Sequence, residues 1–207
     1  MIFEELPLHF DIEKLRSHVR ESVLNLPPKM VGDFFGGWSV LSSNGSYADG
    51  WASGERAFHR DFMPGASIEE KLLALGVKAS SAYKEATEIC HGYLAEVIRV
   101  IREAGLEPRR ARLSLLKGQG RSTYHRDGPD DQYVVRLHIP IMTNEKCLFN
   151  CEEGSVHLPA SGAAYLLRVN RMHRVTNESD EDRIHLIMSV QDTQGISKHH
   201  RFSKAEI

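Results

Sequence analysis

The sequence predicts a mainly β protein, a sandwich or jelly roll, with helices in its N-terminal part. After residue 110 the chain carries seven short runs of β-forming residues, separated by polar or glycine-bearing turns, a pattern typical of sandwiches and jelly rolls. Before that point, apolar residues recur at the three- and four-residue steps of amphipathic helices. No internal repeat is visible, so we expect the whole chain, residues 1–207, to form one domain.

The first two predicted helices have recognisable start or stop signals. The first, from Asp11 to Leu24, has apolar residues at helical spacing and is stopped by Pro27-Pro28. The second begins at a capping box formed by Ser67 and Glu70 and ends near Gly76.

A third, longer helix is predicted from about Ser81 to Ala104, where Gly105 supplies a stop signal. The segment from Gly36 to Trp51 is rich in glycine, serine and asparagine, which predicts one or two short strands and a loop. The sequence assigns no role to residues 32–63. We therefore expect residues 1–109 to be a mostly helical buttress with segments of the substrate pocket, and residues 110–193 to be the β core that carries the functional site.

The predicted strands of this core are short and follow one another closely. They run from Ala111 to Leu116, Tyr133 to Ile141, Cys147 to Asn150, Ser155 to Leu158, Ala163 to Arg168, His173 to Thr176 and Arg183 to Gln191.

Composition excludes several classes of protein. Hydrophobic residues make up 41% and charged residues 26% of the chain, with a net charge of -2, which predicts neither disorder nor a nucleic-acid partner. Three cysteines without a CxxC pair argue against a disulfide framework and a structural zinc site. No basic leader or long apolar run is present, so we expect a cytoplasmic protein with no membrane segment. The sequence does not predict the oligomeric state.

His125, Asp127 and His173 are the candidate metal ligands. His125 and Asp127 are two positions apart, so at a strand end their side chains leave on the same side. Two imidazoles and one carboxylate, with positions left open, are the ligand set of non-haem Fe(II) oxygenases. A His-x-Asp pair arises easily by chance among 11 histidines, so the pair alone is weak support for a metal site. The same residues also match the start of a kinase catalytic loop, but the later asparagine and the glycine-rich phosphate loop are absent.

Arg183 opens a run that otherwise looks like a core strand. A buried arginine at such a position is explained by a bound carboxylate; the alternative is a solvated arginine, or one paired with Glu181 or Asp182. Arg136 and His138 alternate with aliphatic residues, so they share a face that either lines a binding site or meets solvent.

Ser114 lies between two leucines and shares a strand face with Arg112. A serine at such a position often has only a structural role in the strand. Both a structural and a functional role for Ser114 therefore remain as alternatives.

The order of these residues carries a family resemblance over about residues 110 to 193. The set Ser114, His125-x-Asp127, Arg136-x-His138, His173 and Arg183-x-His185-Leu186 resembles the aspartyl/asparaginyl β-hydroxylase family of Fe(II)- and 2-oxoglutarate-dependent dioxygenases. Arg136-Leu137-His138 with the downstream Thr143 to Cys147 stretch, and Gly37-Trp38, look most like the bacterial L-proline cis-hydroxylases. Asp127 stands where animal protein hydroxylases of the family have a glycine.

The resemblance implies a double-stranded β-helix, a cupin-like jelly roll buttressed by helices, and it implies roles for individual residues. His125, Asp127 and His173 would ligate Fe(II). Arg183, assisted by Ser114, would pair the distal carboxylate of 2-oxoglutarate. Arg136 and His138 would lie near the other carboxylate, and dioxygen would be the second co-substrate.

The expected activity is hydroxylation of an unactivated carbon of a free amino acid or a similar small amine-bearing acid. One alternative within the same chemistry is a peptidyl, carrier-bound or natural-product substrate. An alternative of another class is a non-catalytic, cupin-like protein that binds a small acid through Arg183 and Arg136.

Overall fold

The computed structural model describes residues 3–52, 57, 61–78, 80–127 and 135–197 of the chain. The helices are α1 Ile12–Ser22, α2 Ile68–Ala74 and α3 Gly92–Glu103, and Ser80–Ala82 form a single 3-10 turn. The strands are β1 Phe3–His9, β2 Lys29–Met30, β3 Phe35–Ser39, β4 Leu41–Ser42, β5 Glu85–Ala86, β6 Leu106–Leu116, β7 Val135–Met142, β8 Cys147–Cys151, β9 Gly154–Val156, β10 Ala163–Arg168, β11 His173–Asn177 and β12 Arg183–Asp192.

The strands form a jelly roll with one large and one small sheet. The large sheet has seven strands in the order β1-β10-β7-β12-β6-β3-β2, and the small sheet has three in the order β11-β8-β9. Strands β4 and β5 form a separate two-stranded ribbon. All neighbouring strands are antiparallel, and the mainly β class expected from the sequence is confirmed.

One face of the large sheet packs on the helices. Aliphatic side chains that alternate along β6, β7 and β12 form one cluster with the buried faces of α1 and α3. Burying each such side chain contributes roughly 1.5–3 kcal/mol. This face therefore anchors the sheet. Its central members are Leu113, Leu137, Ile139, Leu186 and Met188.

The opposite face of the large sheet turns towards the small sheet. Near β10 this space is filled by apolar residues that include Tyr165 and Leu167 from the large sheet and Phe149 from β8. Towards β12 and β6 the same face carries buried polar side chains instead, among them Ser114 and His185, which are register partners. The alternation expected for Arg136 and His138 thus separates a helix-covered apolar face from a polar interior face.

Two of the predicted helices occur where their end signals placed them. Asp11 caps α1 by accepting a hydrogen bond from the backbone N–H of Lys14 at 3.1 Å. The capping box of α2 is complete, because the Ser67 hydroxyl accepts from the Glu70 N–H and the Glu70 carboxylate accepts from the Ser67 N–H. Local signals were sufficient for both helices.

The predicted start of the third helix is wrong. Helix α3 begins at Gly92 rather than Ser81. Glu85–Ala86 instead pair with Leu41–Ser42 as strand β5, and the Thr87 hydroxyl donates to the carbonyl of Ser39 at 2.7 Å. These partners lie more than 40 residues away in the sequence, so helical periodicity could not reveal them.

The mostly helical expectation for residues 1–109 missed several strands. β1 and β2 were not expected and join the large sheet, as does β3, which lies where a short strand was predicted. Strand β6 begins at Leu106 instead of Ala111. The extra part of β6 pairs with the end of β12. The other strands of the core lie within a few residues of their predicted bounds, and Tyr133 lies outside the described residues. None of the helices in the described ranges is long and apolar enough to cross a membrane.

Candidate active site

The three predicted metal ligands converge at one end of the small sheet. His125, Asp127 and His173 each offer one ligand atom, and these atoms lie within 4.8 Å of one another. His125 and His173 form an isolated antiparallel bridge in which each N–H donates to the other carbonyl, at 2.9 and 2.8 Å. The Asp127 N–H donates to the carbonyl of Val169 at 2.8 Å. Backbone hydrogen bonds therefore join the segment of His125 to the strand of His173; Gly128, which follows the motif, lies outside the described residues.

The two imidazoles are oriented for metal binding. The Nδ1 atom of His125 lies 2.9 Å from the carbonyl of Thr123, and that of His173 lies 2.8 Å from the carbonyl of Arg171. An Nδ1–H that donates to a carbonyl leaves the Nε2 lone pair free to bind a metal. Both Nε2 atoms lie 4.0 Å from an oxygen of Asp127. This donor set fits Fe(II), because two imidazoles and one carboxylate on one side leave room for further ligands.

Charge around Asp127 keeps the carboxylate ionised. Burial raises the pKa of Asp127. Arg136 and the two imidazoles together lower it by more than burial raises it, so the pKa lies below its ordinary value. The Nε atom of Arg136 lies 2.8 Å from Oδ2 of Asp127. Burial lowers the pKa of His173, and the opposing charge of Asp127 does not offset this. At neutral pH both groups are therefore in the form that binds metal.

Arg183 is buried rather than solvated. Its side chain is 4% exposed, and its Nη2 lies 2.8 Å from Nδ1 of His185. The Asp182 carboxylate, a possible partner from the sequence, accepts instead from the N–H of Gly118 at 3.0 Å. Burial lowers the pKa of Arg183 to about 10, so the guanidinium is still charged at neutral pH.

Arg183 and two side chains near it carry buried polar atoms without a partner in the described part of the chain. Among the described residues, Arg183 Nη1, Ser114 Oγ and His138 Nδ1 are buried and have no hydrogen-bond partner. A buried polar group without a partner costs about 1–3 kcal/mol. The N–H groups of the charged Arg183 and the hydroxyl of Ser114 are donors suited to a carboxylate ligand.

The neighbouring histidines are neutral. Burial, followed by the charge of Arg183, holds the pKa values of His138 and His185 well below the ordinary range. His185 can therefore accept a hydrogen bond from Arg183 through Nδ1. His185 is part of the family resemblance without an assigned role, although its place two residues after Arg183 on one strand puts both side chains on the same face.

Asn177 is a second residue that sequence reasoning missed. Its side-chain amide donates to the carbonyls of Leu116, Lys117 and Glu181 at 2.7–3.3 Å, and its Oδ1 accepts from the Ser179 hydroxyl at 2.7 Å. These bonds fix the turn between β11, which begins with His173, and β12, which begins with Arg183. No local pattern marks this role, because the partners belong to two different segments.

The family of the chain follows from comparison with known proteins. The family model described as aspartyl/asparaginyl beta-hydroxylase matches residues 70–193, which is more than half of the chain. No curated protein sequence matches at a significant level.

Three solved structures show a distant likeness. An oxidoreductase of the 2OG-Fe(II) oxygenase family from Burkholderia pseudomallei is 14% identical, with 98% of this chain and 88% of the other covered and a TM-score of 0.48. A viral collagen prolyl hydroxylase from Paramecium Bursaria Chlorella virus-1 is 10% identical, with 92% and 95% covered and a TM-score of 0.46. A prolyl-4-hydroxylase from Pseudomonas putida is 12% identical, with 91% of each chain covered and a TM-score of 0.44.

The family match and the His-Asp-His cluster agree. Iron, 2-oxoglutarate and dioxygen are the cofactor and co-substrates of this chemistry. The chain belongs to the aspartyl/asparaginyl β-hydroxylase family, and the protein is a 2-oxoglutarate-dependent non-haem iron dioxygenase.

Proposed function

We propose that the protein hydroxylates an unactivated carbon of a free amino acid or a similar small amine-bearing acid. The observation that carries the proposal is the convergence of His125, Asp127 and His173 on the polar interior that also holds the buried Arg183, since His138 interacts with the charges of both Arg183 and Asp127. The resemblance of Arg136-x-His138 and its surroundings to the free-proline cis-hydroxylases supports an amino-acid substrate.

His125, Asp127 and His173 hold the metal in this proposal. When bound, Fe(II) with 2-oxoglutarate and dioxygen supplies the oxidant that breaks an unactivated C–H bond. Arg136 is in contact with one oxygen of Asp127 and so orients the carboxylate towards the two imidazoles. The carbonyls that hold both Nδ1–H groups prevent the rings from turning.

Arg183 binds the distal carboxylate of 2-oxoglutarate. Its free Nη1 and the hydroxyl of Ser114 supply donors to the carboxylate oxygens, and the absence of other partners for these atoms in the described residues supports this role. Arg136, which lies 2.8 Å from Asp127, and the neutral His138, which interacts with both Arg183 and Asp127, serve the other carboxylate, which is bound close to the metal.

The test of this proposal is turnover to succinate. The purified protein with Fe(II), ascorbate and 2-oxoglutarate is supplied with each free amino acid in turn, and we expect succinate formation to rise with at least one of them and the product to gain one oxygen atom. If no free amino acid raised succinate formation, the result would contradict an amino-acid substrate. An oxygen added only to a peptidyl, carrier-bound or natural-product substrate would favour that alternative.

Metal content separates catalysis from simple acid binding. The substitutions Asp127→Ala and His173→Ala are expected to abolish iron binding and turnover, while Asp33→Ala, which removes an exposed carboxylate, leaves both unchanged. Unaltered affinity for a small acid in a protein that never binds metal would instead support the non-catalytic reading.

A further inference from the structure

The aromatic ring of Phe149 is stacked on the imidazole of His173. The two ring centres are 5.0 Å apart and the ring planes are inclined by only 22°. Both residues are 4% exposed, so the contact is shielded from water. It joins a candidate metal ligand to an apolar side chain that has no part in the site described above.

The pairing of two strands in the small sheet brings these rings together. Phe149 lies on β8, and its register partner on β11 is Val175, two residues after His173. Residues two apart on a strand share a face, and diagonal neighbours on adjacent strands are within reach of aromatic side chains. The inner face of the small sheet therefore holds Phe149 as the diagonal neighbour of His173.

Both rings are held in place by other parts of the protein. The Nδ1 atom of His173 lies 2.8 Å from the carbonyl of Arg171, which fixes the orientation of the imidazole. Phe149 belongs to a buried apolar cluster, and close packing in such a cluster restricts rotation of a side chain. The other buried members of this cluster are Leu158, Ala163, Tyr165, Leu167 and Val169.

The two candidate histidine ligands differ in their surroundings. The side chain of His173 is 5% exposed, whereas that of His125 is 25% exposed. The ring of His125 lies 4.4 Å from that of His173 and is inclined to it by 52°, so these two rings are tilted and not stacked. His173 is therefore the more enclosed of the two ligands, and Phe149 forms part of its enclosure.

An aromatic face favours the metal-bound form of an imidazole over the free form. The face of a benzene ring is the negative side of its quadrupole. When Nε2 of an imidazole binds a divalent metal, the imidazole ring takes up part of the positive charge. A positive group within about 6 Å of an aromatic ring centre is attracted to the face of that ring, and the separation of 5.0 Å between the rings of Phe149 and His173 lies within this range.

We propose that Phe149 is a positioning residue for the metal: its ring face stabilises the metal-bound form of His173 and so raises the affinity of the site for Fe(II). A cation–π interaction of ordinary strength corresponds to a change of about 3- to 30-fold in affinity. This inference rests on the proposed function, in which His173 is a metal ligand, and it adds a residue of the apolar interior to that site.

The test replaces Phe149, in the full chain, by phenylalanines that carry one, two or three fluorine atoms on the ring. Fluorine withdraws electron density from the ring face but changes the size of the ring little, so the packing is kept. Fe(II) binding is measured by calorimetry without oxygen. We expect the affinity to fall with each added fluorine, by about 3- to 30-fold over the series. The free energy of unfolding of the metal-free protein, measured with urea, should change little.

Two ordinary substitutions give a second measurement. Phe149→Tyr keeps the aromatic face and should bind Fe(II) nearly as tightly as the wild type. Phe149→Leu keeps an apolar side chain but removes the face, and it should weaken binding about as much as the ring with three fluorines. This pair decides the question if a fluorinated variant does not fold.

Phe3 offers the matched control. It packs against the same apolar cluster, but its ring meets Tyr165 edge to face, at 5.8 Å and 74°. The same fluorination of Phe3 should leave the affinity for Fe(II) unchanged.

Three results would overturn the inference: Fe(II) affinities that stay within about twofold of one another across the Phe149 series, an equal loss of affinity in the Phe3 series, or a Phe149→Leu variant that binds Fe(II) as tightly as Phe149→Tyr. In each case the wild type still binds iron and forms succinate, so the proposed function stands. A wild-type protein that binds no Fe(II) would instead contradict the proposed function and this inference together.

Discussion

In the proposed function, in which Arg183 binds 2-oxoglutarate, the hydrogen bond between Arg183 and His185 makes His185 a positioning residue for the co-substrate. The bond is 2.8 Å long, and the two side chains are 4% and 2% exposed, so water cannot replace the lost partner. The substitution His185→Leu keeps a similar volume but removes the acceptor. A hydrogen bond to a charged group contributes roughly 1.5–3 kcal/mol, and about 1.4 kcal/mol corresponds to a factor of ten. We therefore expect the KM for 2-oxoglutarate to rise about 10- to 100-fold.

The assay separates positioning from a loss of structure. Initial rates of succinate formation are measured against 2-oxoglutarate concentration. We expect kcat at saturation to change much less than KM, because His185 acts on Arg183, to which it is hydrogen-bonded. His185→Asn, whose side-chain oxygen can accept from Arg183, should restore most of the affinity, and His9→Leu, which removes an exposed histidine of β1, should have no effect. Equal KM values for the Leu and Asn variants, or a KM within twofold of wild type in both, would refute the reasoning.

Three further predictions concern the scaffold. Asn177→Ala leaves three backbone carbonyls without their donor and should lower the free energy of unfolding by about 2–3 kcal/mol; urea denaturation showing less than 1 kcal/mol would contradict this. Gly37→Ala should cost about 3 kcal/mol or more in the same measurement, because its Cβ would stand 1.9 Å from a carbonyl of β6, whereas Gly45→Ala, which meets nothing within 4 Å and has a φ of 79°, should cost only about 1 kcal/mol. His138 and His185 have folded-state pKa values well below 6.5, so the unfolded chain binds protons first as the pH falls. Stability should be fully present above about pH 6.5 and decrease below it by up to about 1.4 kcal/mol per pH unit for each histidine. Urea unfolding of the metal-free protein from pH 7.5 to 5.5 measures this slope, and His185→Leu should make it shallower.

Local patterns were sufficient wherever the signal and its structural partner lie close together in the chain. The capping box of Ser67 and Glu70 placed α2, and the alternation around Arg136 and His138 separated the two faces of β7, because both depend on residues a few positions apart. The predicted bounds of β10, Ala163–Arg168, agree with the structure for the same reason.

The order of polar residues in residues 110–193 also indicated the family, and the family match confirmed it. The individual roles of His125, Asp127, His173, Arg183, Ser114, Arg136 and His138 stay predictions, although the structure brings the ligand atoms of the three candidate metal ligands within 4.8 Å of one another.

Only the tertiary structure decided the features that depend on distant partners. Strand β5 replaced the start of the predicted third helix because its pairing partner lies in β4. The bridge between His125 and His173 joins positions 48 residues apart, and Asn177 holds carbonyls from two segments. Trp51, from a stretch whose role the sequence left open, lies with its ring against Arg112. Sequence periodicity predicts which face of a helix or strand is buried. Which residues pack against that face depends on how the whole chain folds.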